Sequence, residues 1–316
     1  MERRPGLLTE RIVRAQVWVR RGCESWSLAV LASGPYITPD EHPILLLLLH
    51  SLSQYDARDG AKPASGVSAR VRDLVVIVTG GTAGIGRATS RLLSAEGAKL
   101  ILVARRPEPG RLLAAELGAH FVAGDVAKES TARASVQAAL DLHSRLDVLV
   151  NNAAMDYMSD LMETPAEDVR RVLDVNVVGA LLMMREAART MRSSGGGSIV
   201  NVTSRAASVG IPQLTVYSAA KGALLSLTRA AAIEWAPHKI RVNAVAPGAT
   251  DTPLMRESFK RHPDPEARMG ELIAQIPLKQ MGTPEDVAAA ILYLASPESA
   301  HVTGASIPVD GGYTAG

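Results

Sequence analysis

The 316-residue chain has a single cysteine, Cys23, so no internal disulfide framework can form, and a reducing, cytoplasmic setting is expected. Its seven histidines fall into no HExxH or CxxC companion spacing, and no metal site is expected. Aromatic residues make up only 3% of the chain. The packing material is therefore Ala, Gly, Val and Leu, which suits close contact of helices on a sheet. An excess of one charge is also missing: 34 Lys and Arg face 32 Asp and Glu, for a net charge near +2. That balance gives neither the basic field of a nucleic-acid binder nor an acidic tail, so no nucleic-acid partner is expected. The apolar run ProIleLeuLeuLeuLeuLeuHis at 43–50 falls well short of the about 20 residues that cross a bilayer as a helix. Behind Asp40 and Glu41 it also lies too deep for a secretory segment, and no membrane partner is expected.

With 47% hydrophobic side chains, the chain can bury a large core. Residues 1–66 read differently from the rest. Their arginines cluster (Arg3, Arg4, Arg11, Arg14, Arg20, Arg21), Pro and Gly are scattered, and no period is sustained. This extension is expected to be a disordered tail or a misassigned start. Its arginines resemble those of a transit peptide, against which Glu2, Glu10 and Glu24 argue. Residues 67–316 have the register of one domain. Apolar runs at 74–78, 100–104, 120–123, 148–151, 198–202, 241–245 and 306–309 alternate with helical stretches. Strands that are apolar throughout are covered on both faces. The expected fold is therefore α/β, a doubly wound seven-stranded parallel sheet of the Rossmann type, in a single domain.

The stretch ThrGlyGlyThrAlaGlyIleGly at 79–86 follows the first strand and opens a helix. Glycines there let a backbone turn tightly and approach a pyrophosphate at a helix N-terminus. Taken alone, the cluster could be a tight strand-to-helix turn and nothing more. Downstream, ThrValTyrSerAlaAlaLys at 215–221 places Tyr217 and Lys221 one helical turn apart on one side. A random Tyr and Lys at this spacing is usually a surface pair.

The spacing Thr79-Gly80, Gly84, Gly86 resembles the TGxxxGxG fingerprint of the short-chain dehydrogenase/reductase family. Its companions follow in order: Asp125-Val126, AsnAsnAlaAla at 151–154, Asn176, Ser204, Tyr217 with Lys221, and ProGlyAlaThrAspThr at 247–252. The likeness runs over about residues 67–316. It implies that Gly80, Thr82, Gly84, Ile85 and Gly86 hold a nicotinamide dinucleotide, and that Asp125 accepts from the adenine amino group while Val126 packs on the ring. Asp125 could instead cap the helix that follows. Asn152 and Ala153 are implied to line the cofactor, with Ala154 where the family usually has Gly. Pro247, Gly248, Thr250 and Thr252 are implied to lie along it, Thr252 at the carboxamide.

The end of the second strand decides between the two nicotinamide cofactors. An acid there would bind a ribose 2'-hydroxyl and repel a 2'-phosphate, but this chain has Ala104 followed by Arg105 and Arg106. A guanidinium can take a phosphate bidentately, so Arg105 favours NADP(H), with NAD(H) the alternative.

A tyrosine has an unperturbed pKa near 10, and bringing it to 7 requires about 4 kcal/mol. An ammonium about 5 Å away at an effective dielectric near 20 contributes about 3 kcal/mol. Lys221 is therefore expected to lower the pKa of Tyr217. The resemblance then implies Tyr217 as general acid and base, Ser204 as the hydrogen-bond donor to the reacting oxygen, and Lys221 as ribose ligand. Asn176 is the fourth member, its backbone holding a water that relays protons.

Residues 252–269 resemble the family's lid over a small carbonyl or alcohol substrate, and Met155, Val209, Ile211 and Met255 are pocket candidates that could equally belong to the core. Small-residue helices near 178–190 and 217–235 resemble those through which the family assembles, so a homo-oligomer, tetramer or dimer, is expected. The leading expectation is an NADP(H)-dependent oxidoreductase acting on ketones and secondary alcohols. The alternatives are an NAD(H)-dependent alcohol dehydrogenase, a 3-oxoacyl thioester reductase of the acyl-carrier-protein type, and a non-enzymatic NAD(P)-sensing protein.

Overall fold

The computed structural model describes residues 69–260 and 264–316, together with the backbone of two strands at 16–21 and 26–31. The chain divides into two units, Met1–Gly66 and Val67–Gly316. In the first, Gln16–Arg21 pairs antiparallel with Trp26–Leu31. The remainder of the extension lies outside the described residues.

The second unit holds seven strands, which we number β1 (Val75–Thr79), β2 (Lys99–Ala104), β3 (His120–Ala123), β4 (Val148–Asn151), β5 (Gly197–Val202), β6 (Ile240–Pro247) and β7 (Ser306–Val309). All seven lie on runs identified from the sequence. They pair in parallel in the order β3-β2-β1-β4-β5-β6-β7.

The helices are α1 (Gly84–Ala95), α2 (Pro107–Leu117), α3 (Glu129–His143), α4 (Ala166–Leu173), α5 (Gly179–Ser193), α6 (Thr215–Trp235), α7 (Pro253–Lys260), α8 (Pro265–Gln275) and α9 (Pro284–Ala295). Local chemistry sets their ends. Thr283 and Asp286 cap α9 reciprocally around Pro284, and α2 stops at Gly118 in the left-handed region.

The period-2 geometry of the strands sorts their side chains into two cores. Val75, Ile77, Ile101, Val103, Leu149 and Ile199 face one way, onto Ala132, Val136 and Ala139 of α3, Met183, Met184 and Ala187 of α5, and Ala231 of α6. Val76, Val78, Leu100, Leu102, Val150 and Val200 face the other, onto Leu93 of α1, Leu113 of α2 and Ile291 of α9. Alanines at the contacts let these helices approach closely, as a chain poor in aromatics requires.

The strand order reverses between β1 and β4, and the carboxyl ends there open a crevice, the usual ligand position in a doubly wound sheet. Among the described residues no helix is long and apolar enough to cross a membrane.

Candidate active site

At the switch point the ends of β1 and β4 are tied together. Thr79 Oγ1 accepts from the backbone N–H groups of Asn152 and Ala153, both at 3.1 Å. Asn152 Nδ2 donates to the carbonyls of Thr79 and Gly80, also at 3.1 Å. The turn that follows is closed so tightly that a side chain is excluded at Gly80 and at Gly86. A Cβ on Gly86 would sit 2.2 Å from the Gly80 carbonyl oxygen, and Gly80 itself adopts φ +63°. Helix α1 then begins with no side-chain cap and no acid in its first turn. Its free N–H groups and positive dipole end meet the cleft, and this donor set fits a pyrophosphate.

The cleft measures about 710 Å³ and takes in Gly80, Thr82, Gly84 and Ile85 from this turn. At its far end stand Ala104, Arg105 and Arg106, where β2 stops, beside Asp125 and Val126. Among the described residues neither arginine has an ion-pair partner. The Asp125 carboxylate accepts from the Ala127 N–H at 3.1 Å, while α3 starts later, after Lys128, with no side-chain cap. Asp125 thus closes a turn ahead of the helix instead of capping it. Asn152, Ala153, Pro247, Gly248, Thr250 and Thr252 line the same cleft. Gly86 does not; it serves by making the turn possible.

The other half of the cleft carries Ser204, Tyr217 and Lys221. Ser204 ends the extended run after β5; its hydroxyl accepts from the Ala206 N–H at 3.2 Å and hydrogen-bonds the Tyr217 phenol. Helix α6 sets Lys221 one turn beyond Tyr217. The ammonium, 2% exposed, donates to the Val202 carbonyl at 2.8 Å and lies 5.7 Å from the tyrosine ring centre.

The expected tuning does not come from the protein's own groups. Burial raises the pKa of the Tyr217 phenol above its usual value, the Asp156 carboxylate raises it further, and the Ser204 hydrogen bond only opposes them. Lys221 is itself pushed down to about 8 by burial, so desolvation weighs on both partners. At pH 7 the ammonium still holds its proton, but its charge does not overcome the burial of the phenol.

The Asn176 side chain does not line the cleft. It lies 1% exposed in a π-helical turn, Asp174–Val178, between α4 and α5. Its amide oxygen accepts from the Met155 N–H at 3.1 Å, and its nitrogen donates to the carbonyls of Met155 at 2.8 Å and Val172 at 3.1 Å. Insertions of this kind widen a helix and often occur at functional sites.

Of the four pocket candidates, Ile211 and Met255 line the cleft, and Met155 and Val209 do not. Met155 instead packs with Val172, Val216 and Ala220. The wall is completed by Ala154, Asp156, Met158, Leu214 and Leu254, the last from α7 in the segment with lid-like sequence. Arg205, also absent from the sequence reading, is 8% exposed and stacks 3.8 Å over the Tyr313 ring near Asp310. It thereby ties the C-terminal turn to the residue after Ser204.

Comparison with known proteins bears on this geometry. A family model described as enoyl-(acyl carrier protein) reductase matches residues 80–314. Cyclopentanol dehydrogenase of Comamonas is 37% identical over 251 residues, 78% of this chain and 99% of that protein. Trans-4-hydroxycyclohexanecarboxylate dehydrogenase of Sinomonas cyclohexanicum is 34% identical over 263 residues, 80% of this chain and 97% of that protein. The solved structure of levodione reductase superposes with a TM-score of 0.75 at 33% identity, covering 78% of this chain and 99% of that one.

Proposed function

This chain belongs to the short-chain dehydrogenase/reductase family, whose members are NAD(P)-dependent oxidoreductases acting on CH–OH groups, and from that premise we propose that it interconverts a ketone and a secondary alcohol with NADP(H), Tyr217 carrying the proton. The observation that carries the reading is convergence. Ser204, Tyr217 and Lys221 open onto the same cleft as the glycine turn, so proton donor and dinucleotide cradle share one space.

In the reducing direction the protonated Tyr217 phenol gives its proton to the carbonyl oxygen, and its raised pKa keeps it loaded at neutral pH. Ser204 donates a hydrogen bond to the same oxygen as charge develops there. Lys221, anchored on Val202, holds the ribose hydroxyls and presents its charge beneath the phenol. NADP(H), when bound, supplies the hydride, and its oxidised ring adds a positive charge that favours phenolate for the reverse reaction. Asn176 acts through the backbone it clamps at Met155.

Arg105, at a strand end that lacks a carboxylate, supports NADP(H) over NAD(H). The single cysteine supports a cytoplasmic setting. Val178, Leu181 and Ile233, exposed on and beside α5 and α6, support a homo-oligomer built through these helices. The ring substrates in the names of the two dehydrogenases support a cyclic ketone or alcohol.

The test follows NADPH and NADH absorbance with cyclopentanone, cyclohexanone, open-chain ketones and an acetoacetyl thioester. Ring ketones should be reduced with NADPH favoured by about tenfold, a preference that Arg105→Ala should erase. Equal use of NADH by the wild type contradicts the cofactor assignment. Thioester reduction without ketone reduction contradicts the substrate class.

A further inference from the structure

Arg205 follows Ser204 directly, and the protein's own contacts do not account for a guanidinium at that place. The residue opens the short turn Arg205–Ala207, lines the cleft and is 8% exposed. One face of its guanidinium stacks on Tyr313, 3.8 Å from the ring centre. Among the described residues it has no ion pair and no side-chain hydrogen bond, and Nη1 is fully buried without an acceptor. Asp310 is close enough for its charge to act on Arg205, but both carboxylate oxygens are spent on the C-terminal turn. One accepts from the Gly312 N–H at 3.0 Å, the other from the Thr314 N–H at 3.0 Å and the Thr314 hydroxyl at 2.6 Å.

A guanidinium carries five N–H donors on a rigid fork and keeps its charge. Burying it without acceptors is costly, and a methionine could pack on Tyr313 without that penalty. The other charged groups of this half are engaged: Lys221 donates to the Val202 carbonyl at 2.8 Å, and Asp156 interacts within the protein. Arg105 and Arg106 stand at the β2 end, in the nucleotide half. The wall of the substrate half is otherwise largely apolar, with Ile211, Leu214, Leu254 and Met255, and a low local dielectric strengthens a charge-assisted hydrogen bond made there.

We propose that Arg205 is the specificity-determining residue of the substrate half: its guanidinium takes a carboxylate on the substrate, so the preferred substrates are oxo acids and the matching hydroxy acids. The assignment rests on the reading of the cleft as a ketone and alcohol site. Carboxylate and phosphate both fit the fork. Asp156 and Asp310 oppose a dianion more than a monoanion, which favours the carboxylate. Its place beside Ser204 puts the fork next to the residue that holds the reacting oxygen, so one anchor fixes the acid while Ser204 and Tyr217 receive the carbonyl.

The test compares kcat/KM with NADPH for 3-oxocyclohexanecarboxylate and 5-oxohexanoate, each against its methyl ester, in wild type, Arg205→Met and Arg205→Lys. The wild type should prefer the better acid to its ester by about thirtyfold, the worth of a hydrogen bond to a charged group. Arg205→Met should cut that ratio by at least about tenfold, and Arg205→Lys, which keeps the charge and loses the fork, should fall between. Ratios are read because a merely structural change would lower acid and ester together. A wild type that prefers neither acid, or a cut below about tenfold in Arg205→Met, overturns the role of Arg205. If Arg205→Met does not fold, Arg205→Gln is read against the same limit. Should the wild type reduce none of the four compounds, the ketone and alcohol reading fails instead. The acid-to-ester ratios of affinity, measured by calorimetry on the protein saturated with NADP⁺, then decide Arg205: a tenfold cut sustains it, and a smaller one or no binding overturns it.

Discussion

The two halves of the cleft are built from different material. The nucleotide half is mostly backbone: Gly80 at φ +63°, Gly84 at φ +47°, a Gly86 whose added Cβ would collide with a carbonyl oxygen, and the uncapped start of α1. The substrate half is mostly side chains, carried by the segment after β4, the loop before α6 and the start of α7. Backbone contacts to a phosphate admit few residues, so they leave a spacing that can be read directly. Side-chain walls admit many residues, and what they select is a property of charge and shape.

Perturbation should therefore act differently on the halves, and the largest effect belongs where they meet. Lys221→Met should lower kcat by about 10²–10⁴-fold while leaving the fold intact. It should also stabilise the protein. An unfolded lysine ionises near 10.4, and folding depresses this ammonium to about 8. The unfolded chain consequently holds the extra proton between those values, so the lysine opposes folding in full below pH 8 and progressively less as pH rises towards 10.4. After loss of the hydrogen bond to Val202 is allowed for, the variant should be about 2 kcal/mol more stable at pH 7, with the gap closing by about pH 10. Denaturant titrations at the two pH values check this, and a variant less stable at pH 7 breaks the reading.

A smaller effect is expected at the backbone end. Gly86→Ala places a methyl against the Gly80 carbonyl, so the turn must open. NADPH affinity should fall by about a hundredfold, with a stability cost of about 1–3 kcal/mol. Gly270→Ala in α8, where an added Cβ meets nothing within 4 Å, should leave NADPH binding unchanged. Fluorescence titration with NADPH separates the two, and equal affinities would show that the cradle is not made of backbone.

The same contrast explains how much could be read beforehand. The seven strands were visible because each is a short apolar run, largely buried in β1, β2, β4, β5 and β6 and partly exposed in the edge strands β3 and β7, and the glycine turn because a Cβ at Gly80 or Gly86 would meet backbone at under 3 Å. Ser204, Tyr217 and Lys221 were visible because a strand end and one helical turn place them almost independently of the rest of the fold. Met155 and Val209 could not be assigned from sequence for the opposite reason: an apolar side chain after a strand serves core or pocket equally well, and Met155 proves to pack inward while neither residue lines the cleft. The period-2 alternation from Ala154 to Met158 was the available signal for Asp156, but it could be used only once Met155 was known to face inward. Arg205 offered no signal, since its partners Tyr313 and Asp310 lie more than a hundred residues away in the chain. The balance of burial over charge at Tyr217 was likewise invisible, because desolvation depends on the whole surrounding fold.

The central claim is that one phenol moves the proton in a cleft whose other half holds the dinucleotide. Its most direct test measures NADPH affinity and ketone reduction in parallel for wild type and Tyr217→Phe. Affinity should stay within about threefold while kcat falls by about 10²–10⁴-fold. A variant that binds NADPH equally well and still reduces the ketone at the wild-type rate would contradict the account.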